Sequence, residues 1–215
     1  QTVDSQVEAR LIMYAPNHVI SVSSSKPVAG MVYNSIASAF LLTADDVIFT
    51  EREFAEGLDI VFSYSVSSYA RENYSTLQDR LYDVDPLSGK ALFSILFPAD
   101  FWYSNKDDDG NKVLISSGVL RRGKIKSANI GGSATSIVQS IYKWYGKQAS
   151  ADFISASSFL LNWYIYKVGF TLSFKDATLR EHEEGFRNRR EDIVDSINSE
   201  LLLLDPLPPD TNALE

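Results

Sequence analysis

The stretch Val113–Asp176 constrains the fold more than any other part of the chain, because turn, cap and helix signals follow one another in it without a gap. Two short alternating runs, Val113–Ser116 and Val119–Arg122, flank Ser117–Gly118, and a two-residue connection ending in glycine is what a tight hairpin requires. A glycine-containing loop, Ala128–Gly132, opens onto a helical pattern from Ser133 to Tyr145, with Ser133 as its candidate N-cap. A second helical pattern covers about Ser150 to Val168 and stops at Gly169, in the manner of a left-handed glycine cap. Phe153, Ala156, Leu160, Tyr164 and Val168 recur in it at three- and four-residue steps, widened by Leu161 and Ile165, so one face should enter a core. A returning strand should close this unit.

The rest of the chain is punctuated less regularly. Gln1–Tyr14 is helix-like or extended, with Val7, Leu11 and Tyr14 at helical spacing and Pro16 closing it. A serine-rich turn runs to Ser25, and Lys26-Pro27 breaks any helix. Val28–Val32 is apolar and contains Gly30, which suggests a close backbone approach. Ile36, Ala39, Phe40 and Leu42 suggest a short helix from Ser35. Thr50-Glu51-Arg52-Glu53 is a capping box that should start a helix at Glu51, and Ser75-Thr76-Leu77-Gln78 is a second, expected to start a short helix through about Tyr82. Ala91–Phe97, a continuous apolar run before Pro98, reads as a buried strand. Ser104–Lys112 reads as a polar turn. Thr178–Leu204 reads as a long charged helix with Phe186, Ile193 and Ile197 on its buried edge, ending in a linker-like exit at Asp205–Pro209. The expected class is therefore α+β: short strands and a hairpin packed with several helices.

Bulk properties remove several functions. With 215 residues, 45% apolar and 22% charged, the chain can bury a real core. The absence of cysteine excludes a disulfide framework, a thiolate metal site and a thiol nucleophile, and it fits a reducing, intracellular setting. A net charge of −8 argues against nucleic-acid binding by the whole surface but leaves room for a local basic strip. No apolar run reaches the roughly 18–20 residues of a membrane helix, and there is no basic-then-apolar leader, so no membrane partner is expected. The first residue is Gln, which leads us to expect a piece of something longer.

Candidate chemistry is sparse. Asn105–Gly110 resembles the start of a calcium loop, yet its twelfth position is Ser116 where a bidentate Glu is needed, which favours a solvated hairpin turn. His18 and His182 have no partner at metal-ligand spacing. No glycine pattern of a nucleophile elbow frames any serine. Ile130-Gly131-Gly132-Ser133 reads either as N–H groups offered to a phosphate or as an ordinary helix start. Arg121, Arg122, Lys124 and Lys126 form a basic strip after the hairpin. It is either a solvent-facing strand edge or a phosphate contact for nucleotide or RNA, and the lack of interleaved aromatics favours the edge. The helix after Thr178 carries Arg187, Arg189 and Arg190 among Glu181, Glu183, Glu184, Glu191 and Asp192, an ion-paired, solvated surface. From the residues alone the chain has no catalytic, cofactor or metal site of its own.

Several stretches, taken together, resemble the largest subunit of the cellular and large-DNA-virus type of multisubunit DNA-directed RNA polymerase. Gln1–Glu8 is similar to the family's QSxETRAE. Val19-Ile20-Ser21 through Ser25-Lys26-Pro27-Val28-Ala29-Gly30-Met31-Val32 resembles IVSPQSNKPxMGIVQD. Leu87-Ser88-Gly89-Lys90 with Leu96-Phe97-Pro98 is similar to LxxGKQxxSxxxP. The hairpin and glycine loop resemble GxxxxGVxxKKTxGSSxGGLIH; Gly146 and Gly169-Phe170 fall where the family has YG and GFS, Asp176 on the aspartate of GIGD, and Thr211–Glu215 on MTLRExFE. Order and spacing hold from end to end.

This resemblance implies a segment that follows the family's metal-binding loop, NADFDGDEMN, and precedes its funnel, bridge helix and trigger loop. It implies residues 1–43 as the tail of the active-site domain, 44–205 as the pore domain bordering the secondary channel, and 206–215 as a linker toward the funnel. It implies nucleotidyl transfer by an assembly, with Mg²⁺ bound outside this chain. The implied partners are the second-largest subunit, the remaining largest-subunit segments, the DNA template and RNA. Lys26, Arg121, Arg122, Lys124 and Lys126 become candidate contacts to nucleotide or nucleic acid. Departures are specific: the family's Gln-Asp is Tyr33-Asn34, its two lysines fall on Ser127-Ala128, its Gly-Gly on Thr135-Ser136 and its histidine on Gln139. Such drift resembles a viral relative. The alternative is a non-catalytic interaction or structural domain derived from the polymerase fold.

Overall fold

The hairpin expected around Ser117–Gly118 lies at one edge of a three-stranded antiparallel sheet. In this computed structural model, which describes residues 2–64, 69–106, 112–171, 173 and 183–203, β1 (Tyr103–Lys106), β2 (Lys112–Ser116) and β3 (Val119–Arg122) lie in that order. Ser117 and Gly118 both take positive φ, 52° and 66°, the pair that a two-residue type I′ turn demands. A Cβ on Gly118 would stand 2.4 Å from the Pro98 carbonyl oxygen, so this turn tolerates no side chain there. The polar turn expected over Ser104–Lys112 is in part strand: Ser104 pairs with Leu114 and Lys106 with Lys112. Partner strand pairing supplies the order that the polar residues of β1 do not announce. Asp107–Gly110 of the calcium-loop reading lie outside the described residues.

The first capping box forms as expected. Thr50 donates to the Glu53 carboxylate through its N–H (2.9 Å) and its hydroxyl (2.8 Å), and the Glu53 N–H returns to the Thr50 Oγ1. The helix α3 (Glu51–Tyr64) follows from it. Before it come α1 (Val3–Leu11), capped by Thr2, and α2 (Asn34–Leu42). The second box does not start a helix. Ser75–Leu77 ends α4 (Tyr69–Leu77), which continues into a 3-10 turn over Gln78–Arg80. Ser75 Oγ instead donates back to the Glu72 carbonyl at 2.7 Å, because inside a helix the N–H groups a cap would bind are already taken.

The run Ala91–Phe97 is not a strand. It begins as α5 (Gly89–Ser94), all six residues of which are buried. Ser88 caps it by accepting from the Ala91 N–H at 3.1 Å. A helix apolar all round is a buried helix, and a short apolar run carries no period that separates it from a buried strand. Around it Phe93, Phe97, Phe101 and Phe153 are fully buried, with successive ring centroids of Phe97 at 5.5, 5.4 and 5.7 Å from Phe93, Phe101 and Phe153. Each such pair contributes about 0.5–1.5 kcal/mol beyond its buried area.

After α6 (Ser127–Ile130) comes α7 (Ile137–Val168), whose N-cap is Ser136, accepting from the Gln139 N–H, and not Ser133. Ser133 spends its hydroxyl on Thr135. The two helical patterns expected here are present as two helical segments that meet without a loop at Gly146, whose φ 86° and ψ 179° are non-helical. Phe153, Ala156, Leu160, Leu161 and Tyr164 are buried as expected, whereas Val168 is exposed at the helix end. Gly169 closes the helix at φ 76°. Gly30 makes the close approach expected of it: a Cβ there would stand 3.1 Å from the Gly131 carbonyl carbon, and the Met31 N–H donates to the Ile130 carbonyl at 3.1 Å.

Residues 1–169 form one compact unit and 170–215 another. The second contains α8 (Glu183–Leu203). Its expected start at Thr178, the linker over 205–209 and most of the returning strand after Gly169 lie outside the described residues. Ile193 and Ile197, expected on a buried edge, are about half exposed, at 54% and 51%. Apolar spacing in a charged helix marks a face and does not supply a partner for it.

Candidate functional site

The four residues of the basic strip part company in the structure, and the backbone explains how. Gly123 takes φ 87°, and a Cβ on it would stand 2.8 Å from the Lys112 carbonyl oxygen and 2.9 Å from the Val113 Cα. This contact lays the chain after β3 directly over the start of β2. The next residues are extended, with Ile125 fully buried and its N–H donated to the Thr43 Oγ1 at 2.8 Å. Thr43 in turn donates to the Ala39 carbonyl at 2.7 Å, so the segment is fastened to the end of α2. Because extended residues alternate, anchoring Ile125 inward turns Lys124 and Lys126 to the other side together.

The result is a cleft of ≈ 490 Å³ lined by Phe40, Asp45, Lys112, Val113, Gly123, Lys124 and Lys126. The Lys124 ammonium lies 5.2 Å from the centre of the Phe40 ring, a cation–π contact. Among the described residues, Asp45 is the single carboxylate of the lining. It is held by Lys90, whose side chain is only 10% exposed. The Lys90 hydrogen bond and charge, with a smaller contribution from Lys124, keep the Asp45 carboxyl below its ordinary range. Lys90 belongs to the Leu87–Lys90 motif, and Gly89 beside it has no room for a side chain, since its Cβ would meet the Leu42 carbonyl oxygen at 2.0 Å.

Arg121 points elsewhere. It is paired with Asp83, lies 4.1 Å from the centre of the Tyr82 ring and donates to the Arg80 carbonyl at 3.3 Å. Arg122 is exposed at the end of β3 and is not part of the cleft lining. Lys26 is exposed on the turn between Ile20 and Pro27, where the neighbouring Ser25 carbonyl accepts from Gln139 Nε2. Of the five candidate contacts, the structure brings together Lys124 and Lys126 and adds Lys112 and Phe40. Lys112 was not discernible in the sequence, because the register shifts between Leu114 and Ile115, and only that shift pairs Leu114 with Arg122 and carries Lys112 opposite Lys124.

The other described candidates serve local structure. His18 Nε2 donates to the Ile12 carbonyl at 2.6 Å, a local tie, and His182 lies outside the described residues. The glycines of Ile130-Gly131-Gly132-Ser133 do not open a helix onto a phosphate. They let backbone pass backbone, as a Cβ on Gly132 would stand 3.1 Å from the Pro27 carbonyl oxygen. A second cleft of ≈ 310 Å³ is lined, among the described residues, by Asp100, Phe101, Trp102, Trp144 and Tyr145, without a cationic side chain. There the Tyr145 hydroxyl donates to Asp100 at 2.7 Å, and burial first, then Asp100, pushes the pKa of that hydroxyl above the ordinary tyrosine range.

Comparison with known proteins places these features in a family frame. A family model described as RNA polymerase Rpb1, domain 3, matches residues 18–177. The DNA-directed RNA polymerase subunit Rpo1N of Methanothermobacter thermautotrophicus is 26% identical over 231 residues, covering 97% of this chain and 25% of the relative. The DNA-directed RNA polymerase RPB1 homolog of an African swine fever virus isolate is 31% identical over 234 residues, covering 97% of this chain and 15% of the relative. The Rpo1N subunit of Thermococcus celer is 25% identical over 221 residues, covering 83% and 22% respectively. The chain thus spans a quarter or less of the length of these relatives.

Proposed function

The chain belongs to the family of RNA polymerase Rpb1, domain 3, and from that premise we propose that it works as a segment of the largest subunit of a DNA-directed RNA polymerase. In that role it walls the pore through which small molecules and RNA ends reach the active centre, and it supports the neighbouring metal-bearing loop. The division into 1–43, 44–205 and 206–215 belongs to the same proposal, as does an intracellular location. The observation that carries it is the family match over residues 18–177, which takes in most of the buried core between Val19 and Tyr164.

Among the described residues no group of three or more His, Asp or Glu side chains could hold a metal ion, and the carboxylate of the basic cleft is engaged by Lys90. These residues do not fit a Mg²⁺ centre. In this proposal the Mg²⁺ of nucleotidyl transfer is held by polymerase segments outside the chain, and the chain contributes form and charge. Lys124 and Lys126 are its candidate contacts to a phosphate-bearing nucleotide or RNA. Arg122 and Lys26 are open to solvent at other points of the surface. Among the described residues, no helix is long and apolar enough to cross a membrane.

Affinity purification of the tagged chain from cells or virions that carry it tests the assignment. We expect co-purification with a homologue of the second-largest polymerase subunit, and RNA synthesis by the assembly but not by the chain alone. Recovery of the chain without any polymerase subunit, or primer extension by it alone, overturns the assignment. The first of these results favours the reading as a structural domain derived from the polymerase fold.

A further inference from the structure

The helix α8 gives none of its described side chains to a core. From Asn188 to Glu200 every one is exposed, and Ile193, Val194 and Ile197 among them are about half open to water. A helix is held in water mainly by packing of its apolar face, so an apolar stripe left open calls for a partner. We infer that this stripe is the seam of an antiparallel pair formed with α8 of a second copy of the chain. Arg190, Ile193, Ile197 and Glu200 follow one another at three-, four- and three-residue steps, the alternation of the inner positions of a coiled coil. Val194 widens the stripe on one side, while Glu191, Asp192 and Asp195 fall outside it.

Charge is what commits the face to its own copy. The stripe reads alike from either end with the charge inverted: Arg190 stands three residues before Ile193, and Glu200 three residues after Ile197. An identical helix turned end for end and centred on position 195 therefore sets Ile193 against Ile197 and Arg190 against Glu200. Two-fold symmetry makes each contact twice, as a self-complementary interface requires. A parallel pair would bring Arg190 onto Arg190 and Glu200 onto Glu200, and facing like charges repel. Polar residues at inner positions fix register and direction at some cost in stability. With so short a seam the pair is weak and depends on concentration. This inference goes beyond the polymerase assignment and does not rest on it.

Sedimentation velocity of the full chain over a range of concentrations tests it. We expect a reversible equilibrium of monomer and dimer with a dissociation constant on the order of 10–100 µM. Arg190→Glu should raise that constant by about tenfold, because two attractive contacts turn repulsive together, and Glu200→Arg should do the same. Both changes in one chain should restore the dimer, a rescue that a helix lost to misfolding would not show. Ile197→Asn should leave only monomer, whereas Asp195→Lys, outside the stripe, should change nothing. A monomer at every concentration overturns the pairing, as does a dimer that survives Ile197→Asn. A dimer indifferent to Arg190→Glu overturns the antiparallel register, since a parallel pair would exchange one like-charge contact for another. A chain that stays monomeric alone but binds a helix of another polymerase segment through Ile193 and Ile197 overturns the second copy in favour of that segment. The polymerase assignment stands or falls separately, on co-purification.

Discussion

On the side of the hairpin that faces α4, charge is spent inside the protein; on the side that faces α2, it lines an open hollow. Arg80 donates to the Asn73, Thr76, Ala99 and Ser117 carbonyls and to the Asn73 and Thr76 side chains, tying α4, the turn after Pro98 and the hairpin tip into one block. Asn73, itself buried, donates onward to the Ser94 and Ile95 carbonyls. Arg121 joins the same block through Asp83. Three residues further on, among the described residues, Lys124 has only the Phe40 ring and the field of Asp45. Guanidinium groups with several fixed donors are suited to satisfying carbonyls at a junction of elements, whereas an ammonium group is a compact point charge on a flexible stem. The two sides therefore place buried, bonded charge and cleft-lining charge on different residues of one small sheet.

The contrast is open to a graded attack. Arg80→Met should have the largest effect, destabilising the fold by about 2–3 kcal/mol, since several partially buried acceptors and the Asn73 side chain lose a charged donor together. Chemical denaturation checks it, and a loss below about 0.5 kcal/mol would show that water replaces the guanidinium freely. Arg121→Met should cost about 1–2 kcal/mol, because its side chain is 8% exposed while Asp83 is 41% exposed and keeps access to water. Lys124→Met, on the other side, should stay within about 0.5 kcal/mol. Equal losses at Arg121 and Lys124 would erase the distinction between the two sides.

The smallest effect concerns Asp45 and is read against pH. Lys90 holds the folded-state Asp45 carboxyl below its ordinary value of 3.8. A carboxyl depressed in the folded state contributes stability above its unfolded value and loses it as pH falls through the folded one. The melting-temperature gap between the native chain and Asp45→Asn should therefore be full at neutral pH and close as the medium is acidified below pH 3.8. A gap constant down to strongly acidic pH would show that Lys90 does not depend on the charge of Asp45.

Residues that act locally were legible in advance. The hairpin at Ser117–Gly118, the box at Thr50–Glu53 and the stop at Gly169 each depend on neighbours within four positions, and each stands in the structure. The errors arise where a distant contact decides. Ala91–Ser94 is helical, within α5, where rings distant in sequence such as Phe153 pack around the run, a contact that its apolar pattern does not announce. Ser75 lost its role as a cap because the helix had already begun upstream. The basic strip illustrates both cases: its composition was plain, but only the seat of Gly123 on Lys112 separates Arg121 from Lys124 and recruits a lysine from the facing strand.

Gly146 has a consequence for how the long helix responds to force and heat. At φ 86° and ψ 179° it interrupts the hydrogen-bond ladder without ending the element, and a side chain there would meet nothing within 4 Å. The corner is thus set by torsion alone, with no neighbour wedged into it. Fraying that starts at one end has no ladder on which to travel past this point. The nine residues before it and the twenty-two after it therefore behave as two cooperative blocks in series, and opening of the segment beside the glycine loop leaves the segment that anchors Phe153 and Leu160 closed.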